Sequence, residues 1–208
     1  MPLLDREFLR EIYTAEERIG ADYPDVTREV FPNLIRQVPK AADGEGFIAY
    51  TRLDAATADA VIQEQIAFFK QIGTDFEWKL YDYDTPPDLK ERLAAYGFEI
   101  EEPESLMILP LAEAPATLLA PITHDVRRLT TPAELEYIRA IEDEVWQTEH
   151  ESLIRYLHLM MTQNPERMSF YVAFVEERPV SCAWIHFPPT GQFASLWGGS
   201  TLAEYRGR

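Results

Sequence analysis

The sequence predicts an α/β protein of the α+β kind: a mixed, mostly antiparallel sheet flanked by helices, arranged as two units. Three observations predict it. Apolar residues recur with helical spacing in some windows and alternate in others, so both element types are present. Proline, glycine and capping residues punctuate the junctions between those windows. One stretch, residues 111–121 (Leu-Ala-Glu-Ala-Pro-Ala-Thr-Leu-Leu-Ala-Pro), keeps no period at all and breaks the chain into two parts. The expected organisation is residues 1–111, a linker over 112–121, and residues 122–208. With 208 residues, 46% of them hydrophobic and 12% aromatic, each part can bury a core.

In the first unit, residues 4–19 read as a helix with Leu4, Phe8, Ile12 and Ile19 on one face and Gly20 at its end. Val26, Val30, Leu34, Ile35 and Val38 also have helical spacing, with Pro32 kinking or restarting that helix. Residues 46–53 read as a strand, and Asp54 as the cap of the helix carried by Ala58, Ile62, Ile66 and Phe69 and stopped by Gly73. Residues 75–83 alternate as a second strand. Thr85-Pro86-Pro87-Asp88 has the grammar of a helix start, Leu89 and Leu93 form an inner face, and Gly97 ends that helix. Residues 98–100 and 105–111 complete the unit as two short strands.

In the second unit, residues 125–129 form a short strand. Thr131-Pro132-Ala133-Glu134 is a capping box with proline in the first turn. Leu135, Ile138 and Val145 line the helix it opens; Leu153, Leu157, Met160 and Met161 line the next, which Asn164-Pro165 ends. Three strands follow as hairpins over 168–176, 179–187 and 192–199.

The net charge of −17 argues against a nucleic-acid surface or an anionic membrane, both of which need a basic face. It favours cationic partners such as amines. The single cysteine, Cys182, excludes an internal disulfide, fits a reducing cytoplasm, and lies in an apolar run as a buried thiol. The first residues carry no basic stretch followed by an apolar one, and no apolar run approaches the roughly 20 residues of a membrane span. His124, His150, His158 and His186 make no His-Glu-x-x-His, so no metal site is expected, and there is neither a nucleophile elbow nor a phosphate-binding Walker loop.

The last stretch, Leu196-Trp-Gly-Gly-Ser-Thr-Leu-Ala-Glu-Tyr-Arg-Gly-Arg208, resembles the strand and loop that open the cofactor site of the GNAT N-acetyltransferase superfamily. There, a strand runs into Arg-Gly-x-Gly-x-Gly/Ala and then a helix. The order strand, helix, helix and three strands over residues 122–208 is similar to the opening half of that domain. Residues 46–111, with Tyr96-Gly97-Phe98 before the late strands, look like its closing half without a cofactor loop. The whole chain thus resembles a tandem protein with a degenerate first half, and its second half is expected to be truncated within the cofactor loop. Ala203 stands where the family usually has proline.

The resemblance implies transfer of acetyl from acetyl-CoA, a co-substrate, to a primary amine of a small molecule or protein. It implies no metal. It points to Ser200, Thr201 and Leu202 for the pantetheine arm and acetyl carbonyl, and to Arg206, Gly207 and Arg208 for the pyrophosphate. Gly198 and Gly199 would allow a bulge that opens the strand. Glu144, Trp146 and Glu149 are the expected amine-binding residues, with Glu142, Glu151 and His150 nearby. Catalytic acid and base are unassigned. A chain cut at this loop is expected to bind CoA poorly. The alternative expectation is a non-catalytic GNAT-like binding protein, paired into a homodimer through its last strand.

Overall fold

A computed structural model describes residues 5–207, and the chain divides into two compact units, Met1–Pro110 and Leu111–Arg208. Leu4 and Arg208, both used in the reading above, lie outside the described residues.

Unit 1 contains α1 (Arg6–Tyr13) running into a π-helical segment (Thr14–Ile19), then β1 (Val26–Phe31), β2 (Leu34–Pro39), β3 (Gly46–Thr51), α2 (Ala58–Ile72), β4 (Phe76–Trp78) and α3 (Leu89–Ala95). The sheet order is β1-β2-β3-β4, antiparallel except for the parallel pair β3–β4. The expected helix over 26–38 is instead the β1–β2 hairpin. Pro32 and Asn33 sit at its tip, and Phe31 pairs with Leu34 across it. Val26, Val30, Leu34 and Val38 are four apart, a spacing that satisfies the period of a helix and equally the alternation of a strand. Proline and asparagine, both turn formers, decide between them.

Three other expectations change. The strand over 75–83 shrinks to β4. Thr85 does not cap α3: its hydroxyl donates to Leu53 O (3.1 Å), and Asp88 at the cap position instead accepts from Arg92 Nε (2.9 Å). Residues 98–111 form no ladder among the described residues; Phe98 packs edge-on against Phe76 and Trp78, and Met107 beyond it is 89% exposed. Gly73 and Gly97 take the left-handed conformation that ends α2 and α3, as glycine allows.

The first helix is held less by its apolar face, whose Phe8 is exposed, than by Arg18. This side chain is 1% exposed and binds Asp84 bidentately (2.7 and 2.8 Å). It also donates to Ala49 O (3.1 Å) and lies over the Tyr81 ring at 3.9 Å. Arg36, itself buried, bonds the buried Gln65 and the partly exposed Glu29 and lies against the Phe68 ring.

Unit 2 contains two 3₁₀ turns (Leu111–Glu113, Ala116–Leu119), β5 (Asp125–Leu129), a 3₁₀ turn (Pro132–Glu134), α4 (Leu135–Trp146), α5 (Glu151–Gln163), β6 (Met168–Val175), β7 (Arg178–His186), β8 (Ser195–Thr201) and a closing turn (Ala203–Tyr205). Its sheet is fully antiparallel in the order β5-β6-β7-β8. The capping box forms: Glu134 accepts from the Thr131 N–H at 2.8 Å, and two backbone N–H bonds to that carboxylate hold it below the usual carboxylate range. The core is apolar, with Leu135, Ile138, Leu157, Met160, Phe170 and Val172 packed between helices and sheet. Among the described residues no helix is long and apolar enough to cross a membrane.

Candidate active site

The site forms where β8 departs from regular pairing. Cys182 on β7 faces Ser200, and Trp184 faces Trp197, so Gly198 and Gly199 together stand opposite the single residue between. This is the bulge that the glycine pair permits. Gly198 has φ of +62°, and a Cβ there would come within 2.0 Å of the Trp184 ring; at Gly199 a Cβ would meet nothing within 4 Å. The first glycine is therefore dictated by backbone and packing. The second leaves open space beside the strand.

That space is a cleft of about 450 Å³ lined by Val145 and Trp146 from the end of α4, Gly199, Ser200 and Thr201 from β8, and Arg206. Trp146 Nε1 donates to Ser200 Oγ (3.2 Å), which fixes the indole against the strand while most of its face stays exposed. Ser200 O accepts from Ser181 Oγ (2.9 Å), and Thr201 Oγ1 shares a hydrogen bond with the same hydroxyl (2.8 Å). Arg206 Nε donates to Thr201 O (2.9 Å), folding the arginine back over the strand end, and Gly207 takes φ of +70°. Among the described residues β8 stands at the end of the sheet order, with no strand paired on its side away from β7.

Of the residues singled out in the sequence, Ser200, Thr201, Arg206 and Trp146 meet in this cleft. Leu202 does not line it: its side chain is in the core and its N–H donates to Val180 O (2.9 Å). Glu144 and Glu204 both bind the Arg178 guanidinium, at 3.4 and 2.8 Å. Glu149 is exposed in the α4–α5 connection and lines no part of the cleft. Glu142, one turn deeper on α4, is buried and accepts from Cys182 Sγ at 3.3 Å. Burial first, and then the nearby Glu142 carboxylate, push the Cys182 thiol far up, so it is a protonated donor and not a nucleophile.

Two features were not legible in the sequence. Val145, read only as a residue lining the inner face of its helix, borders the cleft. Asp143 and His150 meet because Gln147 turns the chain left-handed after α4 (φ +55°); the His150 ring then lies 3.0 Å, and its backbone N 2.9 Å, from one Asp143 oxygen. Among the described residues no group of three or more metal-ligating side chains converges.

No protein-family model and no curated protein sequence matches the chain. Solved structures do. A GCN5-related N-acetyltransferase from Kribbella flavida is similar over 96% of this chain and 74% of its own, at 14% identity and a TM-score of 0.61. A functionally unknown conserved protein from Staphylococcus epidermidis is similar over 89% of this chain and 75% of its own, also at 14% identity, with a TM-score of 0.60. The superposition on a predicted acetyltransferase with acetyl-CoA from Clostridium acetobutylicum covers 41% of this chain and 64% of the other at 17% identity; its TM-score of 0.33 is too low to carry an argument. The mixed sheets flanked by helices are thus those of the GCN5-related N-acetyltransferase fold, and fold is what such identities establish.

Proposed function

We propose that the protein transfers an acetyl group from acetyl-CoA to a primary amine, on a small molecule or a protein, in the cleft of unit 2. The observation that carries this reading is the convergence, around one cavity of about 450 Å³, of an open strand edge, the exposed Trp146 ring and the Arg206 guanidinium. Acetyl-CoA would supply the activated thioester. The edge of β8 at Gly199 to Thr201 suits an extended pantetheine arm, which can add to it by strand-like hydrogen bonds, with a backbone N–H polarising the acetyl carbonyl. Arg206 and Gly207 suit the pyrophosphate, the arginine by charge and the glycine by aiming successive N–H groups at one point. The acceptor amine is drawn by a chain of net charge −17 and held over the face of Trp146, where an ammonium gains cation–π attraction; Glu149, exposed in the connection after α4, adds negative charge near that end, while Glu144 is engaged by Arg178.

Calorimetric titration of acetyl-CoA into the 208-residue protein, with the thermal midpoint followed alongside, tests this. The open edge of β8, Trp146 and Arg206 all lie within these residues, so, against the poor binding expected from the sequence, micromolar binding with a raised midpoint is expected, and R206A should weaken it. A flat titration sinks the reading.

The second reading is a non-catalytic GNAT-like binding protein that pairs with its own copy through β8. The end position of β8 in its sheet, with Leu196 78% and Trp197 54% exposed, favours it. Sedimentation over a wide concentration range decides: a protein that stays monomeric throughout is not a strand-paired dimer.

A further inference from the structure

We infer that His150, oriented by Asp143, is the general base that deprotonates the acceptor amine. This rests on the acetyl-transfer reading above. Asp143 Oδ1 lies 3.0 Å from His150 Nδ1 and also accepts the His150 backbone N–H at 2.9 Å. The second bond pins the backbone that carries the ring, so carboxylate and imidazole are held in one geometry from two directions. A ring that donates Nδ1–H to this carboxylate presents Nε2 as its basic nitrogen. This is the orienting-acid and base relationship that activates protons elsewhere in enzymes. Both side chains are part-buried and so keep a path to solvent.

The pair lies beside the cleft wall, not in its lining. Asp143 and Trp146 are three residues apart on α4, which makes them surface neighbours with Cβ atoms ~5–6 Å apart. Trp146 is the cleft wall, and its ring is fixed by Ser200. Other nearby charges are otherwise engaged: Arg139 with Glu136 and Glu151, Glu144 with Arg178, and Glu142 with the Cys182 thiol. Glu149, next to His150 in the chain, adds negative charge that favours an incoming ammonium.

The step balances without a further reactant. An ammonium cannot attack, because its nitrogen has no lone pair. His150 Nε2 takes one of its protons and later passes it to water. The freed lone pair forms the N–C bond to the acetyl carbonyl carbon. The C–S bond then breaks, and the second nitrogen proton goes to the departing sulfur, giving the amide and CoA thiol.

The test uses the 208-residue protein with acetyl-CoA and three probes, spermidine, tyramine and a lysine-containing peptide, with CoA thiol release followed by colour. H150Q and D143N are each expected to lower kcat/KM by roughly 10²-fold, the usual worth of a positioned base. Acetyl-CoA affinity and thermal midpoint should be unchanged, and the double variant no worse than H150Q. Added imidazole should restore H150A and leave D143N low, which a merely structural histidine would not do. H150Q within threefold of the wild type overturns the assignment. So does a loss that tracks weakened acetyl-CoA binding, or bound acetyl-CoA with no transfer to any probe. Absence of acetyl-CoA binding in the wild type overturns the acetyl-transfer reading itself.

Discussion

The two units set helices against four-stranded sheets and treat a glycine-bearing strand in opposite ways. In unit 1, Gly46 opens β3 and gives its space to an aromatic ring: a Cβ there would meet Phe69 at 2.2 Å, and Phe69 stacks on Phe76 with ring centroids 4.2 Å apart. β4 then pairs parallel along β3 and closes that side. In unit 2, Gly198 likewise gives way to a ring, Trp184, but Gly199 beside it gives way to nothing and the strand edge opens on a cleft. One unit fills its strand with its own side chains; the other leaves a vacancy lined by hydrogen-bonding groups. The internal polarity differs too. Both units have an apolar core cluster, but beside it unit 1 buries Arg18 with Asp84 and Arg36 with Gln65, whereas unit 2 buries Glu142 against the Cys182 thiol. The lesson is that a second small residue, placed where nothing packs, leaves a strand edge open where a single filled glycine does not.

The contrast can be broken first at the buried charges. D84A leaves the Arg18 guanidinium buried without its carboxylate, and breaking a buried pair from one side costs about 3–5 kcal/mol. Chemical denaturation should show that loss, with amide exchange accelerated through α1, β3 and the Tyr81–Asp84 segment. Intact protection there would mean that the tyrosine rings, and not the ion pair, hold the first helix. The burial that makes Arg18 costly to orphan also pushes the Tyr13 phenol, hydrogen-bonded to Tyr81, well above its usual range.

The glycine pair sharpens the comparison. G198A forces a Cβ against Trp184 at a positive φ, and strain and overpacking together should cost about 2–4 kcal/mol. G199A should leave the midpoint within about 0.5 kcal/mol, as surface changes do, while narrowing the cleft and weakening acetyl-CoA binding. Equal stability losses in the two variants would mean the bulge is not where the register puts it.

The smallest effect is on pH. Burial, and then the Arg167 charge, hold the buried His186 imidazole below its ordinary value. The unfolded chain, with an imidazole near the ordinary value of about 6.5, therefore binds this proton more tightly than the folded one. Stability should rise with pH through the window that ends near that value and level off above it. Denaturation midpoints between about pH 5 and 8 in wild type and H186N check this; H186N should flatten the acid side.

Some of this was legible because the signals are local. The capping box at Thr131 and Glu134 needs only four consecutive residues, and it formed. Gly73 and Gly97 ended their helices for the same reason. The hairpin strands of unit 2 followed from alternation. By contrast, Val26, Val30, Leu34 and Val38 recur every four residues, which both periods satisfy, and the helix expected there is a hairpin. Residues 98–111 alternate like strands yet form no ladder among the described residues, since a strand needs a partner that alternation does not supply. Around the cleft, Ser200, Thr201 and Arg206 could be named because their stretch resembles a known cofactor-binding strand and loop. Glu149 and Leu202 carried plausible positions, but one points to solvent and the other into the core.

By itself the sequence determined the fold class, the capping and turn positions, the acidic surface and the strand carrying the two glycines, because propensity, charge and φ preference act within a few residues. Only the tertiary structure decided that Gly198 is filled and Gly199 open, that Trp146 reaches Ser200 across 54 positions, and that Asp143 meets His150. Each of those depends on which surfaces pack and on the register between strands, which are set by burial over the whole unit and leave no mark in neighbouring residues.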